Sequence, residues 1–304
     1  MPSILITNDD GVNSPALRSL WRSLLDRDLG DVTCVVPERE VSAAGKGVTL
    51  HKPLRIREIY VKLRRGRYGK AYLVSGTPGD CVMLALGEIM AEKPDVVVSG
   101  INLGDNITVD NLFTSGTIAG AIQGVLNGIP AVAFSSEIPE AHRPTTPEAF
   151  AMHGRVAGEI VAWMLEEGLP EGVDLLNVNF PFKISDDTPV RLTRLGWTKF
   201  ENYILERLDP RGRPYYWIGS NPLSVGEGQR GTDLYALMVE RAISITPVRL
   251  QATFPLRFTD RDCERMKKMS AEAHKKLQDL VSRLRVLLQE TAKMRVPRKG
   301  EGKT

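Results

Sequence analysis

Asn8-Asp9-Asp10-Gly11 places two carboxylates side by side directly after the apolar run Ile4-Leu5-Ile6. Neighbouring acids repel, so keeping both ionised at one strand end calls for a neutralising cation. Carboxylate oxygens suit hard divalent ions such as Mg²⁺, Mn²⁺ or Ca²⁺. Asp-Gly is also a frequent turn dipeptide, and the motif alone leaves a solvated turn open.

Later apolar runs are followed by further oxygen-bearing side chains. After Val96-Val97-Val98 comes Ser99-Gly100-Ile101-Asn102-Leu103-Gly104-Asp105-Asn106. Its hydroxyl and amide oxygens can extend a cation shell without adding charge. After Val36 comes a loop with Glu38, Glu40, Ser42 and Lys46. Thr114-Ser115-Gly116-Thr117 then opens a run of small residues. Free N–H groups at a helix start attract phosphate, helped by the helix dipole. The plainer expectation is that Ser115 or Thr117 caps the helix and that the small residues let it pack closely on a sheet. Acidic pair and helix start together suggest metal-assisted phosphoryl chemistry.

Other patterns carry less. Gly226-Glu227-Gly228-Gln229-Arg230-Gly231 matches GxGxxG but does not join a strand to a helix, so no dinucleotide site is expected. The four histidines have no metal-ligand spacing, and no GxSxG elbow occurs. Arg64-Arg65-Gly66-Arg67 is a basic turn, read as a solvated hairpin tip.

These candidates must be positioned by a scaffold. Short apolar runs at 4–6, 32–36, 96–98, 131–134 and 175–178 alternate with helical periodicity at 17–25, 115–126 and 147–166. That alternation predicts an α/β fold, Rossmann-like, with a mostly parallel sheet flanked by helices. Ligands in such sheets bind beyond the carboxyl ends of the strands, where the loops above fall. Runs at 54–61 and 71–74 read as a hairpin, and Thr77-Pro78 as a helix start. Residues 190–222 carry Trp197, Tyr203, Tyr215, Tyr216 and Trp217 around the turn Asp209-Pro210-Arg211-Gly212. They predict a projecting β-hairpin, either a subunit contact or a packed subdomain. Residues 241–248 return to strand character. Residues 260–294 predict a long helix whose seam Leu277, Val281, Leu284 and Leu288 packs on its own body or on another subunit. The polar residues 298–304 are expected to fray. The resulting division is a catalytic core at 1–189 with 231–250, a hairpin at 190–230, and a C-terminal helical extension at 251–304.

Composition narrows the classes. The 304 residues hold 40 Lys and Arg against 37 Asp and Glu, a net charge of +3. That balance argues against coating a nucleic-acid polymer. Hydrophobic residues at 42% and charged residues at 25% fit a folded globular chain. No apolar window reaches membrane-spanning length, and the first residues lack the pattern of a signal peptide. Three widely spaced cysteines form no disulfide framework. A cytoplasmic location is expected.

The chain resembles the SurE family, the stationary-phase survival proteins. The resemblance rests on ILITNDDGVNSPAL at 4–17, VVPEREVSAAGKGVTL at 35–50, SGTPGDCV at 75–82, VVVSGINLGDN at 96–106, TSGTIAGA at 114–121, GIPAVAFS at 128–135 and GTDLYALMVERAISITP at 231–247. It implies a metal-dependent phosphatase acting on nucleoside monophosphates at the 5′ and, in many members, the 3′ position, with polyphosphate trimmed by some. It implies one divalent ion per subunit, Mg²⁺ or Mn²⁺, on Asp9, Asp10, Ser42 and Asn102, with Asp9 and Asp10 also catalytic. It places Asn106, Ser115, Gly116 and Thr117 along the phosphate site, and implies a dimer or tetramer. Two rival readings are an aspartyl-phosphate intermediate on Asp9 or Asp10 and a Mg²⁺-binding receiver module. The first lacks an obvious partner Lys. The second needs a phosphorylatable Asp after a central strand, where this chain has Ser99-Gly100.

Overall fold

A computed structural model describes residues 1–64, 66–139, 144–250 and 260–295. Nine strands form one sheet in the order β3-β4-β2-β1-β5-β6-β7-β11-β8. They are β1 (Ser3–Thr7), β2 (Asp31–Pro37), β3 (Ile56–Arg64), β4 (Arg67–Val74), β5 (Val96–Leu103), β6 (Ala131–Ser136), β7 (Leu175–Phe180), β8 (Val190–Leu192) and β11 (Ile243–Val248). The central strands run parallel, while β3 and β11 pair antiparallel with β4 and β7.

The alternation of side chains along each strand builds two apolar layers. Ile4 and Ile6 of β1, Val96 and Val98 of β5, and Val132 and Phe134 of β6 face one cluster. Leu5, Val97, Ala131 and Ala133 face the other. A strand buried on both faces needs a continuous apolar run, which is why these segments read so clearly in the sequence. Helices α1 (Pro15–Asp26) and α5 (Ala151–Glu167) cover the first layer. Helices α2 (Pro78–Leu84) and α4 (Gly116–Leu126) cover the second. Thr77 caps α2 with a reciprocal Asp80 box, as the Thr-Pro start predicts.

The chain moves from β1 to β2 on one side and later returns to place β5 on the other side of β1. The crevice between β1 and β5 is therefore the topological switch point, the place where such sheets bind ligands.

Several expectations need correction. The run at 96–98 continues as strand through Leu103, with its register broken between Ser99 and Asn102. Gly100 makes that break possible: it has φ 124°, and a Cβ there would meet the Phe134 carbonyl at 2.2 Å. A short helix α3 (Thr108–Thr114) precedes α4 and lacks an apolar period that would announce it. The segment at 147–150 is a 3-10 turn before α5. Residues 190–192 belong to the main sheet, paired with β11, because Val190 is buried in the core. The hairpin proper is β9 (Phe200–Leu208) with β10 (Pro214–Pro222), a separate two-stranded sheet. Tyr203, Ile204, Tyr216, Trp217 and Ile218 are all exposed on it, so the packed-subdomain reading fails.

The last helices are α6 (Asp233–Met238) and α7 (Asp260–Arg295). The seam Leu277, Val281, Leu284 and Leu288 is buried in the chain's own core, which settles its packing. Residues 298–304 lie outside the described residues. No described helix is long and apolar enough to cross a membrane.

Candidate active site

The acidic turn is built locally. Asn8 accepts a hydrogen bond from the Gly11 N–H (3.1 Å) and donates to the Gly11 carbonyl (3.0 Å). This closes a tight Asx-type turn with Gly11 at φ 81°. The solvated-turn reading does not hold, because Asn8 and Asp9 are buried at the switch point.

The two carboxylates are held from different elements. Asp9 Oδ1 accepts the Thr117 hydroxyl at 2.5 Å, and the Thr117 N–H supports the same carboxylate. Burial raises the Asp9 carboxyl above its ordinary range, opposed by Thr117 and reinforced by the negative charge of Glu40. Asp10 Oδ2 accepts the Leu103 N–H at 3.0 Å, a bond from the end of β5 across the crevice. A Cβ on Gly116 would lie 2.9 Å from both Cβ and Oδ2 of Asp9. Only glycine lets the start of α4 come this close.

The two neutral candidate ligands lie on segments bonded to the acidic turn, through Val41 N–H to the Asp9 carbonyl and Leu103 N–H to Asp10. The Val41 N–H donates to the Asp9 carbonyl at 3.0 Å, which seats the Ser42 segment beside the turn. Ser42 donates its hydroxyl to Glu40 at 3.0 Å. Asn102 directs its Nδ2 to the Gly104 carbonyl at 2.8 Å, which leaves Oδ1 as its outward acceptor. Gly45 bonds to the Thr114 carbonyl at 2.9 Å, closing the loop onto the start of α4.

This donor set fits a hard divalent cation: two carboxylates, a hydroxyl already turned away by its proton, and an amide oxygen. No cluster of three or more His, Cys, Asp or Glu suited to a metal occurs among the described residues. A cation held here would draw on neutral oxygens as well as on the two acids.

The candidate phosphate residues divide into two groups. Asn106 is buried, and its N–H donates to Asn179 Oδ1 at 2.8 Å. Its carbonyl accepts from Asn177 (2.8 Å) and Asn179 (3.2 Å), while one amide N–H reaches Ser135 Oγ at 2.8 Å. The second amide N–H has no intramolecular acceptor among the described residues. Ser115 is the N-cap of α4, accepting from Ile118 N–H at 3.1 Å. Thr117 is engaged with Asp9. The helix start therefore holds Asp9 as its anion, so Ser115 and Thr117 act first as cap and clamp. Farther along α4, a Cβ on Gly120 would lie 2.9 Å from Ser99 Oγ and Thr7 Cγ2. The close helix–sheet packing expected of the small residues is present.

Sequence reading placed Glu40 and Asp105 in the strand-end loops without giving them a role, and it missed Lys199. Glu40 lines a cleft of about 290 Å³ with Asp10, Asn13 and Leu103; its signal was its place two residues before Ser42. Lys46 shares the second loop, half-buried, its ammonium lowered by burial with Asp80 opposing. A larger cleft, about 920 Å³, lies elsewhere, between α1, the start of α5 and the tip of β3. Its Arg22, Arg27 and Arg64 are already paired with Glu148, Glu159 and Asp26. It is an ion-paired groove without the oxygen donors of the switch point. β5 carries no acid after its core residues, which removes the receiver reading.

Residues 4–202 match the family described as Survival protein SurE. A 5′-nucleotidase SurE of Methanosarcina barkeri is 40% identical over 265 residues, covering 85% of this chain and 96% of that protein. One of Hyperthermus butylicus is 43% identical over 250 residues, covering 81% and 84%. The crystal structure of the SurE protein from Aquifex aeolicus superposes with a TM-score of 0.67 at 33% identity, covering 88% of this chain and all of that one. With identities of 40–43% across more than four fifths of its length, and a family match that spans every strand end of the site, this chain belongs to the SurE family.

Proposed function

We propose that this chain is a metal-dependent phosphatase that hydrolyses nucleoside monophosphates, 5′ and also 3′, to nucleoside and phosphate, with short polyphosphate as a further substrate. The observation that carries the reading is Asp9: a buried carboxylate at the switch point, clamped by Thr117 and packed against Gly116. A charge in that position is unfavourable unless something neutralises it. Asp9, Asp10, Ser42 and Asn102 would hold one Mg²⁺ or Mn²⁺ per subunit. When bound, that ion supplies Lewis-acid polarisation of a phosphate oxygen and a more acidic water.

The chain's own groups do the rest. Asp9 or Asp10 orients the attacking water and accepts its proton. Asn106 offers its free amide N–H to a non-bridging oxygen of the bound phosphate, in substrate and transition state alike. The start of α4, through Gly116, adds backbone donors next to Asp9. Asn177, Asn179 and Ser135 keep Asn106 in place before substrate arrives.

With residues 190–192 counted in the core sheet, the division into core, hairpin and C-terminal extension leaves the hairpin as the unit open to an assembly. An isolated two-stranded hairpin is marginal in water, and β9–β10 exposes Tyr216, Trp217 and Ile218. We place the dimer or tetramer contact there. Cys34 and Cys81 are buried free thiols, consistent with a reducing compartment, the cytoplasm.

The test is phosphate release from AMP, GMP, 3′-AMP and short polyphosphate across several divalent ions. Turnover should require the ion and vanish in Asp9→Asn and Asp10→Asn. Undiminished turnover in excess chelator, or in either variant, overturns the reading.

A further inference from the structure

Asp105 immediately precedes Asn106 and is paired with Lys199 at 2.5 Å. Each side chain is only 14% exposed. Lys199 is the last residue before β9, the first hairpin strand, and its carbonyl accepts the Leu223 N–H just after β10. Its ammonium also lies 4.9 Å from the centroid of the Phe200 ring. One lysine thus joins both feet of the hairpin to the loop that carries Asn106.

That loop needs an external hold. It runs from Gly104 at φ 152° to Thr108 at φ 76°, a conformation that a threonine adopts only when its surroundings enforce it. The enforcing groups come from the hairpin side of the molecule. Asp233, fully buried, accepts from the Thr108 N–H (2.7 Å) and the Gly196 N–H (2.7 Å), and the Val109 N–H reaches the Gly196 carbonyl at 2.8 Å. Asp105 and Asp233 repel one another. Lys199 is the cation at Asp105 that offsets this repulsion, so removing it drives Asp105 toward solvent and pulls at Asn106.

We propose that Lys199 is a positioning residue for the phosphatase reaction, its ion pair with Asp105 fixing Asn106 for phosphate and linking the seating of the hairpin to the site. This rests on the reading that Asn106 contacts the phosphate. Because Asn106 meets substrate, the defect falls on binding more than on the chemical step.

The test measures kcat and KM for a nucleoside monophosphate at saturating Mn²⁺, with melting curves and sedimentation on the same samples. Lys199→Met should raise KM about tenfold, a modest fraction of the loss that an ångström-scale misplacement produces. Its kcat should stay within about threefold of the parent's. Lys199→Arg should restore most of the loss. Adding Asp105→Asn to Lys199→Met should also recover KM, because the repelling carboxylate is gone. Asn106→Ala tests the underlying reading separately. If Asn106→Ala raises KM while Lys199→Met leaves it unchanged, the inference falls and the role of Asn106 stands. If Asn106→Ala leaves KM unchanged, the underlying reading falls. A Lys199→Met defect that neither Arg nor the double variant relieves, and that tracks a lost melting transition, is a structural effect and also overturns the inference.

Discussion

The switch-point corner and the β9–β10 hairpin sit a few residues apart in space and are built on opposite rules. In the corner, the buried candidate side chains are each held by a partner: Asp9 by Thr117, and Asn106 by Asn177, Asn179 and Ser135, with Asp10 bonded to Leu103 beside them, although Thr7 Oγ1, Ser99 Oγ and Asn177 Oδ1 lack one. In the hairpin, apolar rings are exposed and the strands touch little but each other. Buried polar groups demand fixed geometry, because an unmade hydrogen bond there is expensive. Exposed rings demand a second surface. The difference teaches that the corner is held by bonds within one chain, whereas the hairpin presents apolar rings that its own chain leaves exposed. The Asp105–Lys199 pair is where the two meet.

The comparison is most easily broken at the acids. Asp9→Asn should lower kcat about 10³-fold or more, the several kcal/mol that a metal-centred site supplies, while the melting temperature holds or rises because a buried charge is gone. Equal activity would mean that the corner is structural. Next comes Gly116→Ala. Its Cβ would press on Asp9 at 2.9 Å, so activity should drop about 100-fold and stability by about 1–3 kcal/mol. A neutral result would show that α4 can retreat from the turn without consequence.

A third prediction concerns the core beneath the corner. His153 is buried between Phe150 and Phe180, with Nε2 bonded to the Pro181 carbonyl. Burial lowers its pKa to about 4, opposed by that bond. Between pH 6.5 and 4 the unfolded chain binds a proton that the folded chain refuses. The contribution of His153 to stability is therefore full above pH 6.5 and falls as the pH drops toward 4, by roughly 3 kcal/mol. Urea titrations at several pH values should show His153→Phe flattening that limb. An unchanged acid limb would mean that other groups carry it.

The smallest effect on the single chain belongs to the hairpin. Trp217→Ser with Ile218→Ser should shift stability by no more than about 0.5 kcal/mol, as exposed substitutions do. Sedimentation should nonetheless show a smaller particle. An unchanged mass would move the assembly contact elsewhere.

Much of this was legible in the chain because its causes are local. The Asx-type turn at 8–11 needs only Asn8 and Gly11, the two ends of a four-residue span. Doubly buried strands announce themselves as apolar runs, and α2 carries its own cap in Thr77, Pro78 and Asp80. The candidate ligands were visible as oxygen donors after strands. What they hold was less visible. Ser115 and Thr117 read as a helix cap or a phosphate cradle; Ser115 is the cap, while Thr117 clamps Asp9, 108 residues away in sequence. Helix α3 escaped notice because α3 is short and has no apolar stripe, and its start is enforced by Asp233 from far along the chain.

The sequence by itself determined the layer pattern, the order of strand ends and the acidic turn, since each follows from periodicity or from contacts within a few residues. Tertiary structure alone decided that Asp9 faces α4 and Asp10 faces β5, that the α7 seam closes on its own core, and that Lys199 finds Asp105. Those outcomes depend on which crossover brings which loop to the crevice, and pairings across some hundred residues leave no mark on local spacing.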